Sequence, residues 1–189
     1  MRWDGLFSDL EAQAYAADQL ALESEANERA RMDQAALSLT DRLRGQLGAA
    51  LRIRLGASLS FDGRLAHVGS DWIMLAEPAR SVLVVLSAVR LIEGLGRAAS
   101  PHDAAGLRRL GLGSALRALA RDREEVLAHL ACGPDGGFHT VSGTIDRVGK
   151  DFFELAAVPW GEARRAASVR GVHAVPFGAV AALASGHRS

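Results

Sequence analysis

The stretch Gly63-Arg-Leu-Ala-His-Val-Gly-Ser-Asp-Trp-Ile-Met-Leu-Ala76 returns eighty positions later as Gly143-Thr-Ile-Asp-Arg-Val-Gly-Lys-Asp-Phe-Phe-Glu-Leu-Ala156. Six positions are identical, and an aromatic residue, Trp72 or Phe152, follows the Gly-x-Asp triplet in both copies. The apolar residues before this triplet are spaced to fill a core from one strand, the triplet reverses the chain, and the aromatic and leucine belong to the next strand. Each copy is therefore predicted to be a strand–turn–strand hairpin.

The surroundings of the two hairpins match as well. Each is preceded by a helical pattern and one strand, at 51–55 and 126–130, and each is followed by a further hairpin. After the repeated hairpin, the offset between the two copies increases from eighty to ninety-one residues. The second copy therefore contains about eleven extra residues, which lie between Pro159 and Gly171. We expect this insertion to be a solvent-reaching loop that contacts a partner.

A helix followed by about five short strands resembles the Sm-like small barrel, and this resemblance covers about 37–95 and 107–184. It implies an α+β fold in which a long N-terminal helix precedes two small five-stranded Sm-like or SH3-like barrels, each with its own leading helix. The layout also resembles uncharacterised actinobacterial two-barrel proteins that begin with Trp-Asp-x-Leu-Phe, here Trp3 to Phe7. The Asn and the Arg-Gly pair with which Sm proteins bind RNA have no match here.

The resemblance divides the chain into four predicted segments. They are a helical arm at 1–36, a first barrel with its leading helix at 37–96, a helical connector at 97–123 and a second barrel at 124–189. The two barrels are expected to pack through the connector, with Trp72 and Phe152 in equivalent buried positions.

The N-terminal segment has the composition of a helix, since residues 1–50 contain nine acids and no proline. Its apolar stripe changes phase across the polar stretch 23–31, which leaves open one long helix or two helices joined by a hinge. A self-associating coiled coil is one interpretation of the stripe, and packing against the chain's own barrels is the other. We expect a homodimer or docking on a protein partner, and the candidate association residues are Trp3, Leu6, Phe7 and Leu10.

Composition excludes several classes of protein. The 22 basic and 22 acidic residues cancel, so no global positive field attracts the chain to nucleic acid or to a membrane. A single cysteine excludes a disulfide framework. The longest apolar run, 82–86, is far shorter than the roughly 20 residues of a membrane-spanning helix. These features predict a soluble cytoplasmic protein without a membrane partner.

One cluster of reactive side chains, His129, Cys132, Asp135 and His139, has the residue types of a metal site. It lies around a Gly-Pro turn, where polar residues are common, which favours an ordinary hairpin loop. The sequence therefore predicts no catalytic residue, no metal ligand, no cofactor and no enzymatic activity.

Arginines provide the remaining candidate contacts. The connector and the insertion carry the residues that we assign to a candidate nucleic-acid surface, namely Arg108, Arg109, Arg117, Arg121, Arg164, Arg165 and Arg170. The connector arginines fit a helix-turn-helix with its second helix at 114–123. The favoured function is a non-catalytic binding or scaffold protein that associates through its N-terminal helix; the alternative is a regulator that binds RNA or DNA.

Overall fold

A computed structural model describes residues 2–56, 59–100, 110–132, 137–158 and 171–185. The chain divides into two compact units, residues 1–38 and residues 39–189. The first unit contains helix α1, which is uninterrupted from Arg2 to Ala36, so the alternative of a single long helix is the observed one.

The second unit contains two further helices and ten strands. The helices are α2 (Leu39–Arg44) and α3 (Leu112–Asp122). The strands of the first repeat are β1 (Ala50–Arg54), β2 (Ser60–Val68), β3 (Trp72–Ala76), β4 (Ser81–Val85) and β5 (Leu91–Glu93). Those of the second repeat are β6 (Glu125–Cys132), β7 (Gly137–Val148), β8 (Phe152–Ala157), β9 (Gly171–Pro176) and β10 (Val180–Ser185).

All ten strands form one antiparallel sheet in the order β5-β1-β2-β3-β4-β10-β6-β7-β8-β9. The two copies of the repeated stretch have the same register, because Leu65 lies opposite Leu75 in the first and Ile145 lies opposite Leu155 in the second. A register shift follows each of these pairs, at the same place in both copies. The prediction of two equivalent strand–turn–strand hairpins is confirmed.

Close approach of the backbone explains the repeated glycines. A Cβ atom on Gly63 would lie 2.9 Å from the carbonyl oxygen of Ala76, and one on Gly143 would overlap the carbonyl oxygen of Ala156. The aromatic ring of each hairpin covers the glycine of its turn in the same way. Glycine is therefore needed at these positions for space, since a side chain would push the paired strands apart.

The prediction of two closed five-stranded barrels is wrong. A closed repeat would pair its fourth strand with its own fifth strand. Instead β4 pairs with β10 of the other repeat, through Leu83 opposite Leu183, and β5 pairs with β1. The hydrophobic pattern of a strand specifies which of its faces is buried, but not which strand lies along its edge, and this is why the sequence did not reveal the joint.

Two other parts of the predicted architecture need correction. The coiled coil is wrong, because the described residues form a mainly β structure with three α-helices and show no coiled coil. The repeats meet directly at the β4–β10 pair and not through the connector alone. Trp72 is buried as expected, whereas its counterpart Phe152 is only half-buried.

Each repeat completes the hydrophobic core of the other. The first core combines Leu43 of α2 and the strands of the first repeat with Ala181, Ala182 and Ala184 of β10. The second core combines α3 and the strands of the second repeat with side chains of the first, Trp72 among them. The β4–β10 joint is thus a part of both cores, not a surface contact between finished domains.

Candidate binding site at the edges of the sheet

The sheet ends in β5 on one side and β9 on the other. Within the described ranges each of these strands has a single neighbouring strand, β1 for β5 and β8 for β9. Both carry large apolar side chains in water, since Leu91 on β5 is 51% exposed and Val172 on β9 is 59% exposed. An edge strand with exposed apolar side chains is a template for pairing with another chain.

The edge at β9 borders an open cavity of about 430 Å³. Its lining is mostly apolar and includes Val141, Val158 and Val175, with His139 and His173 as polar groups. Ala174 of β9 also lines the cavity and is exposed. The cavity gives this edge room for a side chain from a paired strand.

The edge at β5 borders a larger open cavity of about 640 Å³, which reaches from Glu93 across β1 to β2 and β3. Ion pairs fix the charged groups along it. Arg54 bonds Glu93 at 2.5 Å, and Arg52 bonds Asp62 at 2.6 Å. The hydrogen bond and the charge of Asp62 raise the pKa of Arg52 above its usual value. The exposed apolar part of this edge is Leu91.

Two of the seven candidate arginines are described, and both lie on α3. Arg117 and Arg121 are exposed one helical turn apart, and with Arg147 of β7 they line an open groove of about 530 Å³. The other five lie outside the described residues, as do the inserted segment and the first half of the predicted helix-turn-helix. The described part of that motif is α3, which starts at Leu112 rather than at Ser114.

The repeat gives Arg117 a counterpart with a different environment. Arg44 of α2 donates to the carbonyl of Gly69 at 3.0 Å, and Arg117 donates to the equivalent carbonyl of Gly149 at 3.3 Å. Arg44 is mostly buried and bound at 3.1 Å to Asp41, three residues earlier. Ser114 occupies the corresponding position before Arg117. The second repeat thus exposes a charge that the first repeat neutralises.

The described members of the candidate metal cluster, His129, Cys132 and His139, are not arranged to hold a metal ion. Among the described residues no group of three or more His, Cys, Asp or Glu side chains is placed to hold a metal ion. His129 is buried edge-on against the ring of Phe61, with ring centroids 5.5 Å apart, and its Nε2 atom has no hydrogen-bond partner. Burial, with a smaller contribution from the positive charge of Arg80, lowers the pKa of His129. Cys132 is exposed, and Asp135 lies outside the described residues.

The candidate association residues Trp3, Leu6, Phe7 and Leu10 belong to α1, but their side chains lie outside what the structure describes. Farther along this helix Tyr15, Leu20 and Met32 are exposed. None of the helices in the described part of the chain is both long and apolar enough to cross a membrane.

A scan against protein-family models and searches of curated proteins and of solved structures found no match to this chain. The resemblance to Sm-like proteins consequently stays a prediction.

Sequence reasoning missed the two edges. The repeat nevertheless contains a signal for these edges. With an offset of ninety-one residues, Leu91 aligns with Ala182 and Leu83 aligns with Ala174. Ala182 and Leu83 are buried at the internal joint, whereas Leu91 and Ala174 are exposed. Only the strand order shows that these positions lie at a joint.

Proposed function

We propose that this protein is a non-catalytic scaffold that binds extended protein segments by strand addition at the free edges of its sheet. The observation that carries the proposal is the open ten-stranded sheet, in which β5 and β9 each have one neighbouring strand within the described residues. In strand addition, backbone hydrogen bonds along the edge provide affinity, and pockets for alternate side chains provide specificity. The cavities beside both edges are suited to that second role.

The composition of the edges supports this use. Natural sheets protect their edges with very short strands, charged side chains, proline or bulges. The strand β9 has six residues without lysine or acid, and its proline, Pro176, is the last of them, whereas β5 is only three residues long and ends in Glu93. Val172 and Leu91 instead expose apolar surface. Because each is only about half exposed, burial by a partner would contribute about half of the roughly 1.5–3 kcal/mol of a whole apolar side chain.

A peptide-binding experiment tests the proposal. The protein is immobilised at low density, and a soluble peptide with the sequence of residues 178–185 is the probe, since the sheet already accepts this strand against β4. We expect saturable binding that is lost in Ala174→Lys, because the added charge would lie against the incoming strand. The control His67→Lys places the same charge on an exposed residue of the internal strand β2, outside both cavities, and should bind normally.

Two results would overturn the proposal. One is the absence of binding to the wild-type protein. The other is equal binding by Ala174→Lys and wild type, since the peptide would then attach elsewhere. A scrambled peptide of the same composition separates strand pairing from general apolar adhesion.

A second candidate function is binding of RNA or DNA at the groove formed by Arg117, Arg121 and Arg147. The specific observation in its favour is the exposed Arg117, whose counterpart Arg44 is neutralised and mostly buried. Titration with single-stranded RNA and duplex DNA at several salt concentrations tests it, because phosphate contacts make affinity fall steeply with salt. The double variant Arg117→Gln/Arg121→Gln should weaken binding, and the absence of binding at low salt would exclude this function.

The long helix α1 gives the scaffold a second means of association. We propose, as the sequence predicts, that it contacts another copy or a protein partner. Its exposed Tyr15, Leu20 and Met32 support this role, since large apolar side chains are costly to leave in water.

A further inference from the structure

The hairpin formed by β6 and β7 extends beyond the strand that joins the two repeats. β10 pairs with β6 as far as Leu130, and this pairing is irregular between Val180 and Ala182. Beyond Leu130 the described pairs of β6 are with β7 alone, as far as Cys132. The part of the hairpin from the irregularity outward, called the hairpin tip below, comprises residues 129–132 and 137–140. An irregularity of this kind is a point at which a strand bends, so the tip has a hinge at its base.

The hairpin tip packs against the first repeat, although it belongs to the second. Phe138 of β7 is partly buried against the first hydrophobic core. His129 of β6 is 8% exposed, and its ring lies edge-on to the ring of Phe61 of β2, with centroids 5.5 Å apart. Side chains from both strands of the tip therefore hold it against the first repeat.

The environment of His129 suits a neutral imidazole. Its buried Nε2 atom has no hydrogen-bond partner, so a proton on this atom would find no acceptor. The guanidinium of Arg80 lies over the ring of Phe61, 5.9 Å from its centroid. A protonated His129 would thus be a second cation at the same ring, and burial of an unpaired charge is costly.

The carboxylates near this cluster already have arginine partners. Glu77 bonds Arg80 at 2.6 Å, and Asp62, which follows Phe61 in β2, bonds Arg52 at 2.6 Å. The strands β4 and β10 contain no titratable side chain. The remaining titratable side chains of β6 and of the hairpin tip are Glu125, Cys132 and His139. The first repeat therefore presents no unpaired carboxylate to a protonated His129 among these strands.

We infer that the hairpin tip is a pH-sensitive flap, which lies on the first repeat while His129 is neutral and is released when His129 is protonated. The irregular pairing at the base of the tip is the hinge of this movement. Release would uncover Phe61 and Phe138, so acid would expose apolar surface that the closed chain covers. The inference goes beyond the proposed function, because it involves neither edge of the sheet.

The direction of the pH effect follows from the burial of the imidazole. Burial, with a smaller contribution from Arg80, lowers the pKa of His129 in the closed tip below the usual value of 6.5. The released tip returns the ring to water, where it regains that value. The released form therefore binds more protons, and closure is fully favoured above pH 6.5 and weakens as the pH falls toward the lowered pKa. Since one proton is bound, the opening equilibrium constant rises by at most about tenfold for each pH unit.

Amide hydrogen exchange of the full chain at pH 7.5, 6.5 and 5.5 tests the inference. Each rate is divided by the intrinsic rate at the same pH, because the exchange chemistry itself depends on pH. Between pH 6.5 and 5.5 we expect the protection of residues 129–132 and 180–182 to fall by up to about tenfold, while the internal strand β3 keeps its protection. The variant His129→Phe retains an aromatic edge against Phe61 but binds no proton, so its tip should have the same protection at each pH.

Two further variants sharpen the test. His67→Phe removes an exposed histidine of β2 and should retain the full acid effect at the tip. Arg80→Gln removes the neighbouring positive charge, which brings the pKa of His129 closer to 6.5 and should reduce the acid effect.

Thermal unfolding at pH 7.5 checks that each variant is folded, and His129→Gln takes the place of His129→Phe if the latter is not. Unchanged protection of the tip in the wild-type chain at pH 5.5 would overturn the inference. Equal loss of protection in all strands would also overturn it, because the chain would then unfold as a whole. The same holds for an undiminished acid effect in the folded His129 variant, since another group would then be responsible.

Discussion

Replacing Asp71 by alanine should destabilise the protein far more than the same change at its repeat counterpart Asp151. The Oδ1 atom of Asp71 accepts a hydrogen bond of 2.9 Å from the backbone N–H of Leu112, the first residue of α3. The N-cap residue itself is Gly111, which has no side chain to provide such a bond. Asp71 thus acts as the cap of a helix more than forty residues away in sequence.

The magnitude follows from the cap. Loss of an N-cap side chain costs about 0.5–2 kcal/mol, and removal of a negative charge at a helix N-terminus adds about 0.3–1 kcal/mol. Because Asp71 is exposed, the lower halves of both ranges apply, and we expect a loss of about 1–1.5 kcal/mol. In a unit of this size that loss lowers Tm by about 2–6 °C.

Urea unfolding followed by circular dichroism measures the effect, with all variants at one protein concentration. The described hydrogen bonds give the Asp151 carboxylate no helix to cap, so Asp151→Ala should change the free energy of unfolding by less than about 0.5 kcal/mol. Equal losses in the two variants, or no loss in Asp71→Ala, would refute the assignment of Asp71 as the cap.

Three further outcomes are expected. Gly143→Ala should lower the free energy of unfolding by about 1–3 kcal/mol, because its Cβ would overlap the Ala156 carbonyl; Gly178→Ala, with nothing within 4 Å, is the control in the same urea titration. Folding lowers the pKa of His129 below 6.5, so the unfolded chain binds more protons below that pH. Stability should fall as the pH drops through 6.5, and His129→Phe should flatten a stability profile measured from pH 7.5 to 5. Removal of α1 should reduce the number of copies per particle, so a chain beginning at Asp33 should sediment as fewer copies than the full chain. Equal copy numbers would mean that α1 does not mediate association.

The sequence predicted the hairpins because their information is local. Leu65 and Val68 before a Gly-x-Asp turn specify a strand and its reversal without reference to the rest of the chain. Repetition of the stretch strengthened the interpretation, since two copies supply the same pattern twice. The long helix α1 followed from composition and spacing in the same way.

The joint could not be predicted from such patterns. Leu83 and Leu183 are apolar residues in apolar strands, and they would be equally suited to a closed barrel or to an open sheet. The choice depends on which strand lies beside β4, which is a non-local property of the fold. The resemblance to small barrels predicted that each repeat closes on itself. Closed barrels have no free edge strands, so the candidate site at β5 and β9 was not predicted.

Of the seven arginines predicted as a candidate nucleic-acid surface, two lie among the described residues. Arg117 and Arg121 share one face of α3, as their spacing predicts. The environment that distinguishes Arg117 from its counterpart in α2 depends on Asp41 and Ser114, which become comparable only when the two helices are superposed through the repeat.

Amide hydrogen exchange along β9, measured with and without the 178–185 peptide, tests the central claim most directly. Strand addition pairs the backbone N–H groups of β9 that do not face β8, so we expect bound peptide to slow exchange within Gly171–Pro176 and to leave exchange in the internal strand β3 unchanged. Unchanged exchange in β9 at saturating peptide, or equal slowing in the Ala174→Lys variant, would contradict the claim.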